Sequence, residues 1–435
     1  MTANRFFIYT SLDYGKQGFC LEPKRICAKP FVPSSPVCGA LHAGTRLVGL
    51  FDRIVYLHSA YLSSSFWAPG SRYRLKFLLR RAIDLRAGGG KMKAVVIEKP
   101  GSFQIRELPY PHPGEGEVTL DVKACCVCGT DRHLLDGEFK GAVYPLVPGH
   151  EFSGVVARVG AKVTHIKPGD RVAVEPFIAC GYCYFCKAGK TNHCLNGMVI
   201  GHTKSTEMKL DGGFAEQVAV SVRNLIPLAD HVSFEAGSFI ANLGTIVYAL
   251  RRTQLQHGMK VLVFGTGANG LILAELVKKS GAATVVVTGR TKSRLNVALR
   301  MGIDETVLAD DSQEKNLRRI APRGFDAIFE TTGVASIVER AFRYVAPGGK
   351  IVIYGIVPPD QDARINPFDI CRKDIEVIGS FSSVNSCIIA QELLAGGVIA
   401  VEHLISHRFP LTEWEKAIET SKDPAHCMRA VIAIP

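Results

Sequence analysis

The chain lacks any uncharged apolar run near the roughly 18 residues that a membrane-spanning helix needs, so a helical membrane protein is excluded. No internal repeat and no low-complexity tract is evident. Excess charge is missing from most of its length. The formal net charge of +12 suggests nucleic acid at first sight. Residues 1–91, however, hold 14 Lys/Arg against 4 Asp/Glu, and the rest of the chain is close to neutral. A nucleic-acid surface needs its basic patch on the folded body, so that partner class is excluded as well.

Residues 1–91 also lack a clear strand or helix period and any chemical motif. A basic, acid-poor leader fits a transit peptide, but this one is long and carries aromatics and isolated cysteines at 20, 27 and 38. A misassigned start fits better. The run Ala87-Gly88-Gly89-Gly90-Lys91-Met92 is what a purine-rich ribosome-binding site encodes when read through in frame. Met92-Lys93-Ala94-Val95-Val96 then reads as an ordinary enzyme start. A real accessory segment is the third reading. Arg72 to Arg86 could form a basic helix or a solvated tail.

What remains is an ordinary enzyme composition, 47% apolar and 21% charged, long enough for two or three domains. Thirteen cysteines would fit a disulfide-rich secreted protein if they were dispersed. They cluster instead, which favours metal ligation and a reducing, cytoplasmic compartment.

Cys180, Cys183, Cys186 and Cys194 stand at C-x2-C-x2-C-x7-C. That spacing lets one lobe, residues 179–195, wrap a single zinc with four thiolates and no open position. Cys128, His150 and Glu151 offer one thiolate, one imidazole and one carboxylate, a plausible set for a second zinc with an open position. Cys125 and Cys126 read as strand residues.

Residues 92–241 alternate short strands with Pro/Gly turns and predict a β-rich, barrel-like domain. Residues 242–379 alternate strands and helices and predict a doubly wound parallel sheet, an α/β fold. Residues 380–435 hold a helix and a final strand and are expected to return to the first domain.

Gly265-Thr266-Gly267-Ala268-Asn269-Gly270 fits G-x-G-x-x-G, follows a strand and opens a helix, the context of a dinucleotide-binding turn. The acid that usually meets the ribose 2′-hydroxyl at the end of the next strand is absent. That strand ends in Gly289-Arg290-Thr291-Lys292-Ser293-Arg294. Gly289 removes a repulsive carboxylate, and Arg290, with Arg294 behind it, can bind a 2′-phosphate. NADP is therefore expected to be preferred, with NAD possible.

From Met92 to Pro435 the chain resembles the zinc-containing medium-chain alcohol dehydrogenases, closest to the sorbitol-dehydrogenase-like polyol branch. The motifs are C-G-T-D-x-H, G-H-E, the four-cysteine lobe, G-x-G-x-x-G and GGKIVIYG. The resemblance implies a GroES-like catalytic domain with a Rossmann domain inserted. It implies two zinc ions, a catalytic one at Cys128, His150 and Glu151 and a structural one in the lobe. Thr130 and His133 would relay the proton. A small alcohol or ketone would be the substrate, and the protein a homo-oligomer, dimer or tetramer. Two departures stand out. The acid found near the catalytic zinc of many members falls at Ala241, and Glu175 is the candidate to hold a water there, or a plain strand-end charge. The arginine that sorbitol-type members carry after the returning strand is missing from Gly379-Ser380-Phe381-Ser382-Ser383, which weighs against a standard polyol substrate. The rival reading is a zinc-free NADP-binding reductase-like or regulatory protein on the same fold.

Overall fold

Val118, Leu120 and Val122 alternate with more polar neighbours along the strand Glu117–Cys126 and bury one face of it, the period-2 signature of a half-covered sheet. The computed structural model describes residues 90–139, 141–202 and 210–435. The expectations for residues 1–89, including the basic helix from Arg72 to Arg86, lie outside the described residues. Cys125 and Cys126 are fully buried strand residues.

The strand Glu117–Cys126 is central to a seven-stranded, mostly antiparallel sheet. Phe152–Val159, Gln217–Ser221 and Ala430–Ala433 all pair with it, and Arg171–Val174 and Leu225–Pro227 extend the sheet beyond Phe152–Val159. The last strand arrives from the far end of the sequence, with Ile432 beside Cys125. His407–Pro410 joins its outer edge in parallel. The tail also forms the helix Trp414–Ser421, whose Trp414 fills the core under this sheet against Phe103 and Phe214. Sequence reading did not single out this helix or the strand before it.

The second sheet is parallel throughout. In chain order its strands are Lys260–Phe264, Thr284–Gly289, Glu305–Leu308, Phe325–Glu330, Val345–Ile353 and Glu376–Gly379. Numbered within this sheet, their spatial order is 3-2-1-4-5-6, the doubly wound arrangement. Its inner strands read as unbroken apolar runs because helices cover both faces. Val261 and Val263 face a core shared with helices Ile240–Thr253, Ala268–Lys279 and Cys387–Ala395. Leu262 and Phe264 face the opposite core, with helices Gln313–Ile320 and Ala335–Ala341. The expected α/β class, a GroES-like β-rich part with a Rossmann sheet, is thus borne out. No helix among the described residues is long and apolar enough to cross a membrane.

This topology sets the site. Strand order reverses between the first and fourth strands of the parallel sheet, and ligands of such sheets bind at that crevice. Gly265 and Thr331 directly follow those two strands.

Candidate active site and metal centres

Cys128 is the N-cap of the helix Gly129–Asp136. The Asp131 carboxylate reaches back to accept from the Cys128 backbone N–H at 2.8 Å, a capping box that fixes the turn carrying the thiol. His150 and Glu151 precede the strand Phe152–Val159, which pairs with Glu117–Cys126. The Cys126 N–H donates to the Glu151 carbonyl at 2.8 Å, so both loops leave the same edge of the sheet together. One ligand atom each from Cys128, His150 and Glu151 lies within 4.8 Å of the others.

The electrostatics of this cluster call for a cation. Burial alone would lower His150, yet Cys128, Asp131 and Glu151 together raise it well above the usual imidazole range. His150 Nδ1 faces the fully buried Asp131 Oδ1 at 3.7 Å and His202 Nε2 at 3.1 Å. Asp131 Oδ1 makes no hydrogen bond of its own. A carboxylate behind the outer nitrogen of a histidine is the usual support of a metal-binding imidazole, and it leaves Nε2 for the ion. A sulfur, a nitrogen and an oxygen with one position left over suit a catalytic zinc.

Glu151 is also held from the side. Its Oε2 pairs with Arg429 Nη2, and its Oε1 accepts from Asn242 Nδ2 at 3.1 Å. Burial pushes this carboxyl up, but Arg429 and His150 outweigh it and leave it at about 2. Arg429 and Asn242 have no local signature in the sequence and were not foreseen.

Thr130 Oγ1 lies 3.8 Å from Cys128 Sγ. His133, one turn along the same helix, is exposed, and its Nδ1 meets Glu138 Oε2 at 2.6 Å. Glu175 is not part of the metal cluster: it accepts from Ser383 Oγ at 3.2 Å, and burial raises its carboxyl. This favours the plainer reading of a side chain that ties a strand end to the Ser380–Ser383 loop.

The four lobe sulfurs also converge, all within 4.8 Å of one another. Cys180 and Cys186 are 4.0 Å apart and Cys183 and Cys194 3.9 Å. Zinc–sulfur bonds of about 2.3 Å place tetrahedral sulfurs roughly 3.8 Å apart, whereas a disulfide needs about 2.05 Å. Burial opposes ionisation of Cys180, but N–H donors of Tyr182 and Cys183 overcome it and bring the thiol to about 6. Cys186 is pushed up to about 12 by burial and by its sulfur neighbours. Four crowded thiols cannot all ionise unaided, and a divalent ion at their centre resolves the conflict.

A cleft of about 700 Å³ lies over the glycine-rich turn, lined among others by Gly265, Gly267, Gly289, Arg290, Arg294 and Thr332. Gly265 has φ +124°, which side chains rarely adopt, and a Cβ there would collide with the Thr331 hydroxyl. Gly270 packs on the Gly265 carbonyl, while nothing stands over Gly267, the N-cap of helix Ala268–Lys279. That opening leaves backbone N–H groups facing the cleft, where a diphosphate would sit.

Gly289 has a different reason from the one expected. A Cβ there would fall 2.5 Å from Thr266 Cγ2 and 2.6 Å from its Oγ1, so the glycine is needed to accommodate Thr266 and not merely to spare a phosphate. Arg290 is exposed, and no ion pair holds it among the described residues. Arg294 is partly committed: its Nη2 donates to the Cys427 carbonyl. It lines both the nucleotide cleft and a smaller recess, about 110 Å³, that reaches Cys128, Arg132 and Arg429.

A parallel sheet with this turn, a cysteine lobe and an open three-ligand cluster define a metal-assisted nicotinamide dehydrogenase. Residues 114–230 match the alcohol dehydrogenase GroES-like domain, and residues 268–395 match the zinc-binding dehydrogenase family. Sorbitol dehydrogenase of Bacillus subtilis strain 168 is 31% identical over 333 residues, 75% of this chain and 93% of that protein. The structure of a zinc-binding dehydrogenase from Sinorhizobium meliloti 1021 bound to NADP is 33% identical with a TM-score of 0.74, covering 79% of this chain and 99% of that one. The Escherichia coli CFT073 protein rspB, complexed with NADH, is 29% identical with a TM-score of 0.74, covering 79% and 100%. The chain belongs to the zinc-containing medium-chain alcohol dehydrogenase family, in its sorbitol-dehydrogenase-like branch. It is an oxidoreductase that moves a hydride between an alcohol and a nicotinamide cofactor, and it binds zinc.

Proposed function

We propose that this chain interconverts a secondary alcohol or polyol and its ketone with NADP in preference to NAD, using one catalytic and one structural zinc. The observation that carries the reading is the meeting of Cys128, His150 and Glu151 beside a recess that shares Arg294 with the nucleotide cleft.

When bound, zinc supplies a Lewis acid that lowers the alcohol's pKa, and the nicotinamide accepts the hydride. Cys128, His150 and Glu151 would hold the ion, and the three of them would leave room for a substrate oxygen. His202 meets His150 Nδ1 at 3.1 Å and the Asp131 carboxylate stands behind the same nitrogen at 3.7 Å, which together set the ring with Nε2 toward the ion site. Thr130, two residues after Cys128, would accept the alcohol's proton as its own hydroxyl proton leaves toward His133, which would pass one proton on to water. Glu138 accepts from His133 Nδ1–H, which leaves Nε2 as the basic nitrogen. Gly265, Gly267 and Gly270 shape the turn for the diphosphate. Arg290, with Arg294 as a partial second, meets the 2′-phosphate. Cys180, Cys183, Cys186 and Cys194 hold the structural ion.

The sorbitol dehydrogenase relative supports a polyol. The missing arginine in Gly379–Ser383 favours a less hydroxylated secondary alcohol. Thiolates that must stay reduced support a cytoplasmic setting. Exposed Tyr182, Tyr184 and Leu195 on the lobe support a homo-oligomer, dimer or tetramer.

Initial rates over a panel of secondary alcohols, polyols and their ketones, each with NAD and NADP, test the reading. Turnover of at least one alcohol, faster per cofactor concentration with NADP, is expected. No turnover of any alcohol or ketone by zinc-loaded protein contradicts it.

A further inference from the structure

Asn242 lies in the first turn of the helix Ile240–Thr253 and is buried, and both the NH2 group and the oxygen of its amide are hydrogen-bonded. Nδ2 donates to Glu151 Oε1 at 3.1 Å and to Asn269 Oδ1 at 3.3 Å, and Oδ1 accepts from Arg429 Nη2 at 2.7 Å. The amide cannot be turned over. A carboxylate can only accept and a guanidinium can only donate, so the NH2 group must face Glu151 and the carbonyl Arg429. The next amide is then fixed too. Asn269 presents its oxygen to Asn242 and donates through Nδ2 to Tyr354 Oη at 3.2 Å. Thr245 Oγ1 donates to the Asn242 main-chain carbonyl at 2.7 Å, so Tyr354 Oη donates to Thr245 Oγ1 at 2.8 Å. The ring Asn242–Asn269–Tyr354–Thr245 is closed.

Its members belong to both parts of the site. Glu151 is in the metal cluster, and Asn269 lies inside the G-x-G-x-x-G turn, in the first turn of the helix that opens on the nucleotide cleft. Tyr354 follows the strand Val345–Ile353 of the parallel sheet. The Asn242–Asn269 contact is the longest of the set at 3.3 Å, and among the described residues it is the most direct hydrogen-bonded link from the cofactor turn to the residue that holds the carboxylate.

We propose that Asn242 is a positioning residue for Glu151, and that through Asn269 it couples occupation of the nucleotide turn to metal retention at Cys128, His150 and Glu151. The inference rests on the metal reading given above. Phosphates held by the N–H groups of the turn order residues 265–270, and with them Asn269. Ordering Asn269 orders Asn242 and the Glu151 oxygen it holds, so the metal site no longer bears that entropic cost. Coupling of this kind is positive and reciprocal: the cofactor tightens the ion and the ion tightens the cofactor.

The test uses full-length, zinc-loaded protein, a competing chelator and increasing NADPH. NADPH is expected to raise the affinity of one of two zinc ions by about 5- to 150-fold, with the lobe ion unaffected. Asn269→Ala is expected to cut that effect to within about twofold while NADPH still binds, as read by its fluorescence. Asn242→Ala should do the same, and Tyr354→Phe should weaken it. A purely structural role would lower the unfolding temperature without changing the NADPH dependence. Wild-type coupling retained in Asn269→Ala, or two zinc ions with no NADPH effect, overturns this inference alone. A wild-type chain holding no zinc at Cys128 overturns the metal reading and the inference with it.

Discussion

Arg429 donates through Nη2 to the carboxylate of Glu151, a residue 278 positions earlier in the chain. Both side chains are nearly buried, at 10% and 3% exposure, so the pair is shielded from solvent screening. The return of the C-terminal strand Ala430–Ala433 to the side of Glu117–Cys126 brings them together. Glu151 is thus held by a side chain that enters with the strand Ala430–Ala433.

That pair sets a pH dependence. An unfolded glutamate titrates near 4.3, and folded Glu151 is held at about 2. Its contribution, on the order of 3 kcal/mol, is fully present above pH 5 and lost as pH falls through about 2. Arg429→Met removes the largest lowering influence and lets burial push the carboxyl up. Urea midpoints of chelator-treated protein between pH 3 and 7 should show the variant's deficit against the wild type largest at pH 7 and shrinking as pH falls, because a protonated Glu151 no longer needs the arginine. Parallel curves would contradict the assignment.

Cys183→Ser is expected to release the lobe zinc and lower the unfolding temperature by roughly 5–10 °C, because metal binding at a closed site contributes to folding. The catalytic ion should remain. Calorimetry with zinc analysis on the same sample checks both. An unchanged unfolding temperature and zinc content would show that the lobe sulfurs do not bind an ion.

Arg290→Leu is expected to lower kcat/KM for NADP by about 10- to 150-fold, the equivalent of a charge-assisted pair, with little change for NAD. Gly289→Asp is a poorer test, since its Cβ would press on Thr266 whatever the cofactor. Equal losses with both cofactors would place Arg290 outside the 2′-phosphate site.

A chain beginning at Met92 is expected to fold and keep its full activity. Met92 is nearly buried, against Ala94, Val96, Val147 and Ala215. Among the described contacts, the truncation removes the terminal Lys91–Pro109 strand pairing and the exposed Lys91–Glu107 ion pair, the latter worth at most about 1 kcal/mol. Activity assays of the two chains side by side decide it, and an inactive or insoluble short chain would contradict it.

Much of the site was legible because its chemistry is local in sequence. The lobe cysteines span 15 residues, and Cys128 and His150-Glu151 each sit in a short turn. Asp131 caps the turn that holds Cys128 from three residues away. The glycine turn announces itself by steric need, as Gly265 shows. What could not be read was the support from a distance. Arg429 is a lone cation before a strand, and Asn242 and Asn269 become a pair only when the helices Ile240–Thr253 and Ala268–Lys279 pack together. Gly289 was assigned to the cofactor, although the Thr266 side chain packed against it is an equal cause. The helix Trp414–Ser421 went unnoticed for a similar reason: its buried Trp414 meets partners more than 190 residues away.

The central claim is that Cys128, His150 and Glu151 hold the catalytic ion, separate from the lobe. Zinc content and turnover of Cys128→Ser test it most directly. The account predicts that the wild type holds about two zinc ions per chain, and that the variant keeps its fold and one zinc but loses turnover with every alcohol. A folded variant that still holds both ions, or that turns over at the wild-type rate, would contradict it.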